Sequence, residues 1–217
     1  MTSSTYTPVS QQHPAAVPRE FADFAWTQTN AIEAARIIAL YPAARQHSAV
    51  MPLLWLAQDQ MGAATGSAWL PVPVIEYVAA QVAMPYIRAY EVVSFYTMYN
   101  LAPIGRFHVQ VCGTTPCQLR GSDDIMKACK DKGLKKGANT LDGLFTLTEV
   151  ECLGACANAP MVQINADNYE DLTYDTMTAI LDILAAGGTP TPGSQIGRTA
   201  SCPEGGPTSL LETAGAR

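Results

Sequence analysis

The sequence predicts an α+β protein in which a helical bundle is followed by a small layered α/β domain. Three observations carry this reading. Residues from about 20 to 100 repeat their apolar positions at helical spacing, alternating strand-like runs begin near residue 105, and from Gly187 onward the chain is mostly Gly, Pro, Ser and Thr. These divide the chain into an N-terminal tail (1–19), a helical bundle (20–104), an α/β domain (105–188) and an extended C-terminal tail (189–217).

In "AIEAARIIAL", Ile32, Ala35 and Leu40, with Ile37 and Ile38, form an apolar stripe. "AVMPLLWLAQDQMG" follows, with Pro52 suited to a first turn and Gly62 near the stop. Val74–Met84 and Tyr90–Asn100 complete four short helices, and Tyr90, Phe95, Tyr96 and Tyr99 are expected to pack in the bundle. Beyond them, Arg106–Val111 alternates and reads as a strand. Ser122 is expected to cap a helix whose first turn carries Asp123 and Asp124, with Ile125, Met126 and Cys129 on its buried side. Leu144–Val150 and Met161–Ile164 read as two further strands, the first introduced by Asp142–Gly143. Thr173 opens a last helix with Met177, Ile180, Leu181 and Leu184 at i, i+3, i+4 and i+7, and Gly187 and Gly188 stop it. The tail beyond has too few apolar residues to fold alone, so it is expected to be disordered or laid along a partner.

The net charge of −6 and the absence of a basic face beyond Lys127, Lys130, Lys132, Lys135 and Lys136 exclude a nucleic-acid binder. No uncharged apolar stretch reaches the ~18 residues of a spanning helix, so no direct membrane insertion is expected. The N-terminus lacks a basic segment and an apolar run, reads as a flexible tail rather than a secretion signal, and implies a reducing compartment.

Six cysteines in such a compartment point to metal or redox chemistry. Cys112 and Cys117 are spaced C-x4-C in "VCGTTPCQLRG", after the first strand, and Cys152 and Cys156 are spaced C-x3-C in "ECLGACANAP", after another. If neighbouring strands deliver both loops, four thiols converge at one sheet edge. Gly113, Gly154 and Ala155 then allow backbone N–H groups to approach sulfur. The spacing leaves a [2Fe-2S] cluster, a structural zinc and unligated thiols open. Thiol exchange of the thioredoxin kind needs C-x-x-C, which is absent. Cys129 reads as core, Cys202 has no role, and His13, His47 and His108 are scattered, with His108 expected to face outward. There is no G-x-G-x-x-G or G-K-[ST] phosphate cradle.

"HVQVCGTTPCQLRGS", "EVECLGACANAPMVQIN", "YEDLT" and "YEVVSFYTMYN" together resemble the small, 24 kDa-type [2Fe-2S] subunit of NADH:quinone oxidoreductase, respiratory complex I, from about residue 20 to the C-terminus. The resemblance implies a thioredoxin-like [2Fe-2S] ferredoxin domain after the bundle. It also implies Cys112, Cys117, Cys152 and Cys156 as cluster ligands, with no catalytic residue of the chain's own. Its implied partners are a flavoprotein subunit, which carries FMN, the NADH site and a [4Fe-4S] cluster, and a neighbouring iron–sulfur subunit. The implied function is one-electron exchange with that FMN, on the cytoplasmic side of a bacterial inner membrane, with the mitochondrial matrix side as the lesser alternative, as a peripheral subunit of an enzyme whose active site lies in another chain. The equivalent subunit of a soluble NAD-linked formate dehydrogenase or hydrogenase is the alternative, and a scaffold with structural zinc is the rival of another class. On the cluster reading Arg120 would offset cluster charge, and Glu151 would disfavour reduction if it faced the cluster.

Overall fold

A computed structural model describes residues 21–206 and 208–209. The expected N-terminal tail lies outside them. The described residues form two compact units, divided between Arg106 and Phe107.

The first unit is helical: α1 (Gln28–Ala39), α2 (Val50–Thr65), α3 (Val72–Gln81) and α4 (Tyr86–Phe95). Thr27 caps α1 by accepting a hydrogen bond from the Asn30 amide at 3.2 Å. The buried face of α1 is Ala34 and Ile37, whereas Ile32 and Leu40 are 69% and 67% exposed. Ile32 lies more than a third of a turn away from Ile37 around the axis, and Leu40 is the C-cap, so neither extends the stripe inward. α2 runs past Gly62 and stops at Gly66, whose φ of 79° terminates it. Gly62 serves close packing instead: a Cβ there would sit 3.0 Å from that of Ala68. α3 and α4 both begin earlier than the apolar pattern indicates, each directly after a proline N-cap, Pro71 and Pro85.

Leu53, Leu54, Leu70, Val74, Ile75, Val78, Val93 and Tyr99 form the core of this unit. The segment after α4 is not helical to Asn100. It is fastened by Gln58, which accepts from the Asn100 amide at 2.8 Å and donates to the Met98 carbonyl at 3.0 Å. Of the four aromatics expected to pack, Tyr99 is fully buried and Tyr90 lies against the core, but Phe95 is 76% exposed at the helix end.

The second unit comprises β1 (Phe107–Cys112), α5 (Thr115–Leu119), α6 (Ser122–Asp131), β2 (Ala138–Asn139), β3 (Phe145–Val150), β4 (Val162–Ile164), β5 (Asp167–Glu170), α7 (Tyr174–Ala185) and β6 (Gly193–Ser194). They make one mixed sheet of order β2-β3-β1-β4-β5-β6. β1 pairs parallel with β3, Cys112 opposite Val150, and antiparallel with β4. One face of the sheet buries Val109, Val111, Leu147, Val162 and Ile164 against Ile125, Ala128 and Cys129 of α6 and Met177, Ile180, Leu181 and Leu184 of α7. The α7 stripe thus sits where its spacing predicts. Thr173 and Thr176 close a reciprocal capping box at its start.

Four features depart from expectation. α6 is capped by Gly121, with φ of 104°, and Ser122 is buried in the first turn without a capping hydrogen bond. A short helix, α5, precedes it, begun by Thr114 and Pro116. His108 is buried, not outward-facing: its imidazole bonds the Thr148 hydroxyl at 2.8 Å on the sheet face opposite Val109. Finally, residues 189–206 do not stand apart. Gly193–Ser194 adds a strand parallel to β5, and the Gln195 amide donates to the Glu170 carbonyl. Among the described residues, no helix is long and apolar enough to cross a membrane.

Candidate metal centre

Parallel pairing of β1 and β3 sends both strands out of the sheet in the same direction, which brings the cysteine loops together. Cys112 is the last residue of β1, and Cys117 sits in α5 five positions later. Cys152 lies two residues past β3, and Cys156 opens a single 3-10 turn, Cys156–Asn158. Cys112 and Cys117 are each 1% exposed and cluster with Ala159 and Met161, while Leu153 and Ala155 of the other loop pack against that cluster. Cys152 and Cys156 are exposed, with their sulfurs 3.4 Å apart. No disulfide joins any of the four. Among the described residues, no three His, Cys, Asp or Glu side chains group as ligands of one ion, so the thiols stand as two pairs.

The two loops also donate to each other's sulfurs. Burial opposes ionisation of Cys112, but hydrogen bonds from the Thr114 hydroxyl and amide, Cys117 and the Leu153 amide outweigh it and lower the thiol's pKa. Burial, together with the neighbouring Cys112, pushes Cys117 up to about 11. The Gly154 amide, 3.4 Å from Cys152 Sγ, and Cys156 lower Cys152, with a further contribution from the Thr114 hydroxyl. The same Cys152 contact raises Cys156. Gly154 reaches this position with φ of 82°, a conformation glycine adopts freely. Cys112 and Cys152 are thus each held below the ordinary thiol value, and each loop supplies hydrogen-bond donors to sulfur.

A family model for the thioredoxin-like [2Fe-2S] ferredoxins matches residues 34–185, from α1 to the last residue of α7. The chain belongs to that family. A protein of Rickettsia conorii that is one of the subunits of NADH-quinone oxidoreductase is 57% identical over 166 residues, covering 76% of this chain and 96% of the relative. The corresponding protein of Rickettsia bellii gives the same identity and coverage. Among solved structures, an NAD+-reducing [NiFe]-hydrogenase in the air-oxidized state overlays with a TM-score of 0.52 at 16% identity. The overlay covers 64% of this chain and 23% of the hydrogenase chain, and it speaks to fold alone.

The architecture is thus α+β, a helical bundle followed by a thioredoxin-like [2Fe-2S] ferredoxin domain. Within that ferredoxin domain, Cys129 is fully buried in the core, where burial drives its thiol up to about 12, and it takes no part in the thiol group. His108 is also remote in role, bonded to Thr148. Arg120 turns its Nε towards the Ala159 carbonyl at 3.5 Å, so it buttresses the entry to β4. Glu151 is exposed. The acid that approaches the first loop is Glu149: it is ion-paired with Lys136, and a Cβ on Gly113 would meet its carboxylate. Sequence reasoning missed Thr114, whose only signal was its place as helix-starting threonine before Pro116. It also missed Arg198, the only charged residue between Asp182 and Glu204.

Proposed function

We propose that this chain is an electron-transfer subunit of an NADH:quinone oxidoreductase in which Cys112, Cys117, Cys152 and Cys156 hold a [2Fe-2S] cluster. The observation that carries the proposal is the convergence of two thiol pairs from parallel neighbours β1 and β3. Four soft sulfur donors arranged as two pairs suit a binuclear iron–sulfur centre, in which each iron takes two protein thiolates. Amide and hydroxyl donors from Leu153, Gly154, Met161 and Thr114 supply the hydrogen bonds that thiolate ligands require in a partly buried site.

When bound, such a cluster supplies reversible one-electron chemistry. The chain's own residues define how it is reached. Cys112 and Cys117 form the closed side, with Met161 and Ala159 excluding water, and Cys152 and Cys156 form the open side, from which a partner gains access. The sequence carries neither G-x-G-x-x-G nor G-K-[ST], which supports placing the nucleotide and the FMN on a partner flavoprotein that exchanges one electron with this chain. A neighbouring iron–sulfur subunit completes the assembly, on the cytoplasmic side of a bacterial inner membrane.

Anaerobic purification with iron and sulfide analysis tests the cofactor. Two irons and two sulfides, with a paramagnetic signal after dithionite, are expected, whereas a colourless chain holding one zinc sinks the reading. Co-purification with a flavoprotein, and cluster reduction by NADH only when that partner is present, tests the exchange with FMN.

A further inference from the structure

The C-terminal segment is fastened to the second cysteine loop through one partly buried guanidinium. Arg198 is 13% exposed and its partner Asp171 is 4% exposed, with Nη1 3.1 Å from Asp171 Oδ1. Nη2 donates to the Ala157 carbonyl at 3.1 Å and to Asn158 Oδ1 at 3.0 Å, and Nε donates to the Cys202 carbonyl at 2.9 Å. Ala157 and Asn158 directly follow Cys156 in the same turn. The link is doubled elsewhere. Asn158 Nδ2 donates to the Ala200 carbonyl at 2.8 Å and to Glu170 at 2.7 Å, and the Ser194 hydroxyl donates to Asp171 Oδ2 at 2.7 Å.

We propose that Ser194–Cys202 is a clasp that fixes the turn carrying Cys156, with Arg198 as the positioning residue for the Cys152–Cys156 pair. The inference rests on the reading of those thiols as ligands, and it goes beyond the family match, which ends at residue 185. Cys156 and Ala157 of the turn are exposed and Asn158 is buried; its internal backbone bonds are Asn158 N to Ala155 O at 3.0 Å and Ala159 N to Cys156 O at 3.4 Å, and the Asn158 carbonyl accepts from the Asp171 amide at 2.7 Å. Two local bonds and the Asn158 anchors fix the end of the turn but leave the exposed stretch of Cys156 and Ala157 few contacts to set against its conformational entropy. A planar guanidinium with its donors committed to four acceptors on three segments holds that stretch, because its fork geometry is rigid and charge-assisted. The segment itself contributes little burial, so Arg198 and Asn158 are what make it a clasp.

The test uses the full-length chain with Arg198→Met and Arg198→Lys. Lysine keeps a charge beside Asp171 but has no fork to span Ala157, Asn158 and Cys202. Amide exchange of residues 152–158 is measured in the cluster-free protein, and bleaching by an iron chelator in the cluster-loaded one. Both rates are expected to rise by about tenfold or more, the equivalent of losing one charged hydrogen bond, with far-UV circular dichroism unchanged. Unchanged exchange and bleaching in both variants overturn the clasp. If Arg198→Met does not fold, Arg198→Lys decides. If the wild-type chain takes up no cluster, the proposed function fails, while amide exchange still judges the clasp on its own.

Discussion

The Thr114 hydroxyl lies 3.3 Å from Cys112 Sγ, and the same hydroxyl acts on Cys152 of the other pair. Once both sulfurs are thiolates only the hydroxyl can donate, and its single proton serves one of them at a time, so one side chain is shared between the two halves of the site. Thr114→Val is expected to lower the reduction potential by up to about 60 mV, the upper end for one lost hydrogen bond in a one-electron couple. Thr114→Ser should restore it. A redox titration followed by electron paramagnetic resonance checks both, and a wild-type potential in Thr114→Val would remove Thr114 from the tuning of the site.

Serine substitution separates ligands from core. At Cys112, Cys117, Cys152 or Cys156 it should bleach or destabilise the cluster. Cys129→Ser should leave the visible spectrum intact and lower unfolding stability by about 1–3 kcal/mol, because a hydroxyl replaces a thiol in a fully apolar site. Absorption spectra and urea unfolding of the five variants distinguish the two classes.

His108 makes stability depend on pH. Burial lowers its pKa to about 4, against about 6.5 when unfolded. Between those values the unfolded chain binds the extra proton, so stability falls as pH drops from about 6.5 to about 4, by at most about 3 kcal/mol. Above 6.5 both states are neutral and the contribution is flat. His108→Gln should flatten the wild-type slope between pH 5 and 6.5 in urea unfolding, and an unaltered slope would contradict the burial argument.

In the helical unit, Gln58→Leu should cost about 1–3 kcal/mol despite similar volume, since it strands the buried Asn100 amide and the Met98 carbonyl. Chemical denaturation reads this directly.

What the sequence disclosed depended on whether the signal was local. α7 was legible because its cap, stripe and stop all lie within one stretch, from Thr173 to Gly188. The thiol pairs were legible because each follows a recognisable strand. The start of α4 was not, because the residues after Pro85 continue a polar-apolar mixture and the proline alone marks the boundary. β5, reading Asp-Asn-Tyr-Glu, shows no alternation; it is a strand because Asn165, at φ of 54°, turns the chain back along β4. Period-two spacing correctly put His108 opposite Val109, but it cannot say whether that face is wet, and here Thr146, Thr148 and His108 are all buried. Arg198 was invisible as a tether because two of its four partners are backbone carbonyls, which carry no sequence signature.

The parallel pairing of β1 with β3 also bears on when the site comes into being. Cys117 and Cys152 are separated by α6, β2 and all of β3, so in an unfolded chain the pairs are distant and each is no more than a bidentate thiol trap. Closing that crossover is a non-local step with an entropic cost to be met before any ligand contact forms. Cofactor delivery to a nascent chain should therefore be unproductive until the sheet has formed, and the unformed site is open to any thiophilic ion that arrives first.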